Sequence, residues 1–563
     1  MRIRIPLITF AVCVLFGSLA LVTLACSSAA PTATPVPTTQ PAPAATATSV
    51  PAPAATATPR PTATSPVTST QPQRGGVIRA ALTAEFDNLD PAYMSLRGMR
   101  PVAWAMYNNM LKLQPDGTVK PELARSWEVS PDGKTVTFKL QPNVTFHDGT
   151  PLDAAAVKAN YDRYLDPKVS SIRKGELSPP LLSVDVVDSL TVKFNQASPF
   201  NPLLMALAQQ AGHIASPTAV QKANSYSDRV GKFGSNPVGS GPFKFVEWMP
   251  GDHVTLARNT NYWEPGLPYV DTIIFPMVAD PSVQFAMLRT GDLEVMENLD
   301  ASSVAIANRN PEVKVPILKG SRTRFAWYRL NVAPWTNKAL REAFAYATNR
   351  KVLSDVLYSG MATPAYDDIS PVYGTFYDPN FKAYDFDLVK AKAKLIEAGY
   401  PNGFTYTQPC ASSTFEIQWC ETLQSMYKDA GINAQLLLWN AASYFADFVS
   451  KKHDGPVWSG LSSKVAPYQL FSRYIYSTAA ANAGYSRFYS NPEVDKLIDQ
   501  AATVFDIAQE KVIWRKAAEL AANDQGTTYH VHEPLFWGIR ANIQNFEIVP
   551  DTQLRVRDVW IKK

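Results

Sequence analysis

Apolar and polar positions follow two interleaved periods from Gly76 onward, and the 75 residues before it follow neither. The run Gly76-Val-Ile-Arg-Ala-Ala-Leu82 predicts a first strand. Alternation from Trp127 to Leu140 predicts two strands joined by the turn Pro131-Asp132-Gly133. A second turn, His147-Asp148-Gly149, leads to a helix with Asp153 as its cap and Val157, Tyr161, Tyr164 and Leu165 on one face. Leu340, Phe344 and Ala347 share a helical face that Val352, Val356 and Leu357 are expected to continue. Asp387 caps a predicted helix over 388–398, with Leu388, Ala391 and Leu395 in register, Gly399 at its end and Pro401 beyond. Gly431 to Trp439 then reads as a strand. Strands alternating with helices define an α/β protein. No repeat of 20–50 residues is present, which excludes a solenoid or propeller.

The first segment has a different logic. Arg2 and Arg4 precede an apolar run from Ile5 to Ala25, the charged start and hydrophobic core of a secretory signal. It ends Val22-Thr23-Leu24-Ala25-Cys26, which resembles a bacterial lipobox and implies a signal peptide over 1–25 and lipidation of Cys26. The alternative is an uncleaved membrane anchor. Either places the body outside the cytoplasm, as a periplasmic or cell-surface protein on the outer face of the cytoplasmic membrane. Residues 27–73 carry 11 of the 45 prolines and one charge, Arg60, among Ala, Thr and Ser. Nothing there can offset the entropy of ordering, so 26–73 reads as a lipidated Cys followed by a disordered, semi-stiff tether.

Composition narrows the classes further. The chain of 563 residues is 46% hydrophobic, with 12 Trp, 24 Tyr and 26 Phe, enough for several large cores. Lys and Arg number 53 against 49 Asp and Glu, and no basic run concentrates them, so nucleic acid is excluded as a partner. Beyond Cys13 in the signal and Cys26, only Cys410 and Cys420 remain, an even pair in an oxidising compartment. A disulfide is the expected state, and two buried free thiols are the alternative.

Catalytic and cofactor signatures are missing. Gly239-Ser240-Gly241 lacks the nucleophile-elbow spacing, and no zincin, P-loop or dinucleotide-binding motif occurs. His530-Val-His532 could present two imidazoles on one strand face, but no third metal ligand accompanies them. His147 reads as a turn residue bonding backbone through its ring. No catalytic residue, metal or cofactor is assigned, and the chain is read as a non-enzyme.

Several stretches then fall into a recognisable order. They are Asn88-Leu-Asp-Pro91, Ser126-Trp-Glu128, Ser130-Pro-Asp-Gly-Lys-Thr-Val-Thr-Phe138, Phe146-His-Asp-Gly-Thr-Pro-Leu-Asp153, Asn236-Pro-Val-Gly-Ser-Gly-Pro242, Arg258-Asn-Thr-Asn-Tyr-Trp263, Gly291-Asp-Leu-Glu294, Arg329-Leu-Asn331, Leu340–Arg350 and Tyr489–Asp499. Together they resemble extracytoplasmic solute-binding proteins of family 5, the oligopeptide, dipeptide and nickel receptors of ABC importers. The resemblance implies a large, two-lobed periplasmic-binding-protein-like fold of class II with an extra inserted subdomain. One lobe would comprise 74–107, 205–322 and 535–563, the insert 108–204, and the second lobe 323–534. The implied function is a lipid-anchored, monomeric receptor that captures a small or oligomeric solute by hinge closure and passes it to permease subunits. An exported hydrolase or transglycosylase, and a sensor-linked binder, are the competing readings.

The oligopeptide branch supplies a candidate cleft. Its pattern of two Trp residues nineteen apart, with an Asp three residues after the second, falls on Trp439, Trp458 and Leu461. Leu461 thus stands where the peptide's α-ammonium would find its carboxylate, and a buried ammonium without one costs several kcal/mol. Trp439, Tyr444, Trp458, Ser459 and Ser462 make this wall aromatic and hydroxyl-rich, which suits a sugar, a blocked peptide or another uncharged solute. Tyr93, Met94 and Ser95 are the candidates on the facing lobe.

Overall fold

The Pro-Asp-Gly turn forms as the sequence predicts. The Gly133 N–H donates to the Ser130 carbonyl at 2.8 Å, and Gly133 has φ +68°, a backbone open to glycine at little cost. The turn joins Ala124–Val129 to Thr135–Leu140 in an antiparallel sheet completed by Thr191–Gln196 and Leu181–Asp188, in that order. Val136, Phe138 and Leu140 point inward on alternate positions and meet the helix Ala154–Leu165 through Val157, Tyr161 and Tyr164. Asp153 caps that helix by accepting the Ala156 N–H at 2.9 Å. The computed structural model describes residues 71–563 apart from 87, 95–99, 178–179, 229–230, 441–442, 445, 447–454, 463–465, 480–481 and 483–487. The signal, Cys26, nearly all of the tether and Ser95 lie outside the described residues.

A second sheet places the predicted first strand, Val77–Arg79, parallel to Thr272–Pro276, followed by His253–Arg258 and Phe243–Met249. Its core includes Ile78, Leu89, Met106, Phe243, Leu256, Ile273 and Phe275.

The third sheet links the two ends of the body. Its order is Val295–Leu299, Thr527–Arg540, Ile317–Trp327 and Val457–Ser462. Thr527–Arg540 is buried over 13 of its 14 residues. Val531 lies in the core of the C-terminal half, whereas Leu535, Trp537 and Ile539 lie in the core of the Val77–Pro276 sheet. Two long strands therefore run from one core into another.

The C-terminal half also contains a parallel pair, Phe404–Ala411 and Ile432–Trp439, crossed over by the helix Thr414–Asp429. Cys410 on the strand and Cys420 on the helix are joined as a disulfide with their Cα atoms 6.5 Å apart. Asp387 caps Leu388–Glu397 through the Lys390 N–H, and Ala391 and Leu395 face inward. One helical expectation differs. Leu340 through Ala347 form a helix as expected, but Thr348 and Asn349 interrupt it, and Asn349 caps a new one over Arg350–Tyr358. The register resets there, so Leu353 and Leu357 are buried while Val352 and Val356 face solvent.

The histidine pair is also resolved by local geometry. An irregularity between Thr323 and Phe325 sets His530 and Val531 opposite the single residue Arg324. The two imidazoles then have separate neighbours: His532 bonds Thr323 Oγ1 at 2.9 Å, and His530 packs on Trp419 and lies 3.4 Å from the Tyr427 hydroxyl. Burial holds both neutral, His532 at a pKa of about 3. Among the described residues no group of three or more His, Cys, Asp or Glu is placed to hold a metal.

Candidate functional site

Trp439 ends the strand Ile432–Trp439 half-buried, its carbonyl accepting the Ser412 N–H at 2.7 Å. The chain then turns, with Asn440 Oδ1 accepting the Ser443 N–H at 2.9 Å and Asn440 O accepting the Tyr444 N–H at the same distance. This turn brings the Tyr444 hydroxyl within 2.6 Å of the Trp458 carbonyl, to which it donates. Trp458 itself is 3% exposed, paired opposite Ala326 and packed on Tyr427. Strand alternation then places Leu461 half-buried beside the cluster of Phe325, Trp327 and Tyr474, while Ser459 is half-buried and Ser462 exposed opposite Arg322. Tyr444 thus joins the turn after Trp439 to the strand that carries Trp458 and Ser459. No acid occupies the Leu461 position.

The facing candidates are placed differently. Tyr93 and Met94 are each 2% exposed, Tyr93 in the antiparallel-sheet core and Met94 in that of the Val77–Pro276 sheet. The Met94 carbonyl accepts Arg173 Nη2 at 2.7 Å, so this stretch is tied from behind. Just before it, Asp90 receives a two-pronged pair from Arg163 at 2.9 and 2.6 Å. That buried pair explains the Asp of Asn88-Leu-Asp-Pro91 without any solute.

A small cavity of about 50 Å³ opens past the end of the strand Val77–Arg79, alongside the strand Val295–Leu299. Thr83, Pro101, Glu297, Asn298 and Trp537 line it. The carboxyl edge of parallel strands is where α/β sheets receive ligands. The sequence reading did not single out these residues; the register of Glu297 opposite Trp537 is a long-range pairing that no local pattern encodes.

Other motif residues serve architecture. His147 Nε2–H donates to the Gly241 carbonyl at 3.0 Å, and Nδ1 accepts the Gly239 N–H at 3.4 Å. Burial lowers its pKa to about 4, so the ring is a neutral strut. A Cβ on Gly239 or Gly241 would sit 2.2 or 2.4 Å from Met106 backbone atoms, which leaves room for glycine alone. Asn108 collects Trp263 Nε1 at 3.1 Å and reaches Glu122 at 2.8 Å and the Tyr262 hydroxyl at 2.9 Å. Near the long strands, Arg324 is buried between the Phe415 and Trp419 rings and paired to Glu533 at 2.5 Å and Glu416 at 2.8 Å. Neither network was expected from sequence, because each depends on partners more than 90 positions away, Tyr262 and Trp263 for Asn108 and Glu416 and Glu533 for Arg324.

The fold is that of two-lobed periplasmic binding proteins. It superposes on the binding protein CtaP of Listeria monocytogenes with TM-score 0.78 at 23% identity, covering 87% of this chain and 100% of that one. It superposes on DppA of Helicobacter pylori, solved with the peptide STSA, with TM-score 0.72 at 24% identity, covering 87% and 99%. Residues 118–482 match the family described as bacterial extracellular solute-binding proteins, family 5 Middle. The chain belongs to that family. It is also 30% identical over 488 residues to the glutathione-binding protein GsiB of Shigella flexneri serotype 5b, and 31% identical to that of Escherichia coli O157:H7. Each match covers 85% of this chain and 93% of the relative.

Proposed function

We propose that this protein is the receptor of an ABC importer, capturing a short peptide-like solute between two lobes and presenting it to membrane permease subunits. The lobes are residues 74–107, 205–322 and 535–563 on one side and 323–534 on the other, with 108–204 inserted in the first. The separation of the cores supports this division, as do the strands Ile317–Trp327 and Thr527–Arg540 that pass between them. The body is exported and anchored by lipidated Cys26 through its Pro-rich tether. The relatives are binding proteins, which agrees with a non-enzymatic role.

The observation that carries the reading is 30–31% identity to glutathione-binding proteins along nearly their whole length. The solute class follows from Leu461. In glutathione the first residue is linked through its side-chain carboxyl, so its α-ammonium does not sit where an ordinary peptide N-terminus does. A site lacking the acid at position 461 therefore suits glutathione and N-blocked peptides better than free di- and tripeptides. Trp439, Tyr444, Ser459 and Ser462 supply the second-lobe wall, and the cavity at Thr83, Glu297 and Trp537 the first-lobe wall. Isothermal titration of the purified body with glutathione, an N-acetylated tripeptide and the same tripeptide unblocked tests this ranking. Tightest binding of the unblocked peptide would reject it.

A further inference from the structure

The corner Phe200-Asn201 joins the strand Thr191–Gln196 to the helix Pro202–Leu207. Asparagine flanking a helix start normally turns its side chain onto the helix's own N–H groups. Asn201 makes no such bond. Its Nδ2 instead donates to Glu510 Oε2 at 2.9 Å, across 309 residues of chain, and its backbone N–H donates to the Ala502 carbonyl at 2.8 Å. Phe200 meets Tyr468 edge-on, with ring centroids 5.2 Å apart. Ala502 is packed into the antiparallel-sheet core although it belongs to the C-terminal half.

Two turns of the same subdomain reach across as well. A Cβ on Gly374 would lie 2.4 Å from the Asp116 carbonyl oxygen, and one on Gly133 would lie 3.4 Å from Phe505. Val372 also lies beside the Asp116–Gly117 turn, and the far-side partners named here fall between 372 and 510. These contacts therefore join the insert directly to the C-terminal half.

We propose that the Phe200–Asn201 corner is a latch that fastens the 108–204 insert onto the second lobe when the cleft is shut, so that closure is held partly by protein–protein contact independent of solute. The inference rests on the two-lobed reading above. Contacts present in the shut state alone raise its population, with or without a ligand. Glu510 makes the latch proton-sensitive. Its two oxygens accept from Asn201 and, at 2.9 Å, from the Trp514 indole. Burial pushes its carboxyl up to about 7, and the side chains acting on it are those two neutral donors. Opening removes Asn201 from the carboxyl, exposes it and draws it down toward the ordinary 4.5, while the Trp514 bond within the same helix remains. Closing therefore takes up a proton, and the shut state loses population as pH rises from about 4.5 through 7.

The test needs no solute. Spin labels on Lys193→Cys and Lys428→Cys, exposed positions of the insert and the second lobe, report the distance between them in the full chain. Two populations are expected, the shorter one richer at pH 5.5 than at pH 8. Asn201→Ala should lower the shut-to-open ratio about five- to tenfold, the worth of one hydrogen bond. Asn201→Asp sets a carboxylate against Glu510 and should open the protein further at pH 8. Glu510→Gln should flatten the pH dependence. Distances identical in the wild type, Asn201→Ala and Asn201→Asp would overturn the latch, and so would a single narrow distance in every variant at both pH values. A chain that opens and shuts as described but binds neither glutathione nor any peptide would overturn the receptor reading and leave the latch standing.

Discussion

The Tyr444 hydroxyl donates to the Trp458 carbonyl at 2.6 Å, fastening the turn after the strand Ile432–Trp439 to the start of the strand Val457–Ser462. The bond holds the turn that follows Trp439 against the strand that carries Trp458 and Ser459. Tyr444→Phe keeps the ring and removes the bond. Glutathione affinity should fall about three- to tenfold, with a melting temperature within a few degrees of the wild type. Titration and a melting curve on the same sample check both parts.

Trp458 makes a different prediction. Its ring is buried against Tyr427 in a core that also holds Trp419 and Phe344. Trp458→Ala should therefore destabilise the protein by about 3–5 kcal/mol, the range for emptying a large aromatic site. Urea unfolding measures it. A loss below about 1 kcal/mol would show that the ring is not part of the core.

Much of the local structure was legible from pattern. The Pro131-Asp132-Gly133 hairpin, the Asp153 and Asp387 caps and the strand ending at Trp439 follow from turn chemistry and periodicity. The register after Ala347 was not, because Asn349 starts a new helix within a continuous apolar pattern. The candidate site was less legible. The Trp439–Trp458 spacing marked two strands that Tyr444 joins, but spacing carries no information on which rings are buried. Arg324 with Glu416 and Glu533, Asn108 with Trp263, and Asn201 with Glu510 depend on the assembled topology, to which sequence distance is blind.

The disulfide ties a strand to the helix that crosses over it, closing a short loop between Cys410 and Cys420. Cys410→Ser with Cys420→Ser should cost about 2–3 kcal/mol by the loop-entropy argument. Peptide mapping without reduction should recover the two cysteines in one linked fragment. Alkylation of both thiols in the native protein would contradict this.

His147 sets an acid limit on stability. Its folded-state pKa of about 4 lies below the ordinary 6.5, so the unfolded chain binds the extra proton between those values. Stability is fully present above pH 6.5 and is lost as pH falls toward 4, by up to about 3 kcal/mol from this ring. Urea midpoints from pH 7.5 to 4.5 should decline, and the slope should be shallower in His147→Gln. An equal slope in that variant would assign the loss to other groups.

The proposed anchor rests on Cys26. Cys26→Ser should release the protein from membranes or leave a larger, uncleaved precursor. Unchanged size together with unchanged detergent-dependent membrane association would contradict the lipid anchor.

The central claim is that this is a receptor for a peptide-like solute without an ordinary free N-terminus. Thermal unfolding of the purified body across a concentration series of glutathione tests it most directly, with a free tripeptide as the comparison. A solute that binds the folded state alone adds about 2.7 kcal/mol at 100 times its Kd, a shift of several degrees. A saturable rise is expected with glutathione at concentrations where the free tripeptide gives a smaller one. No shift with glutathione, alongside a saturable shift with the free tripeptide, would contradict it.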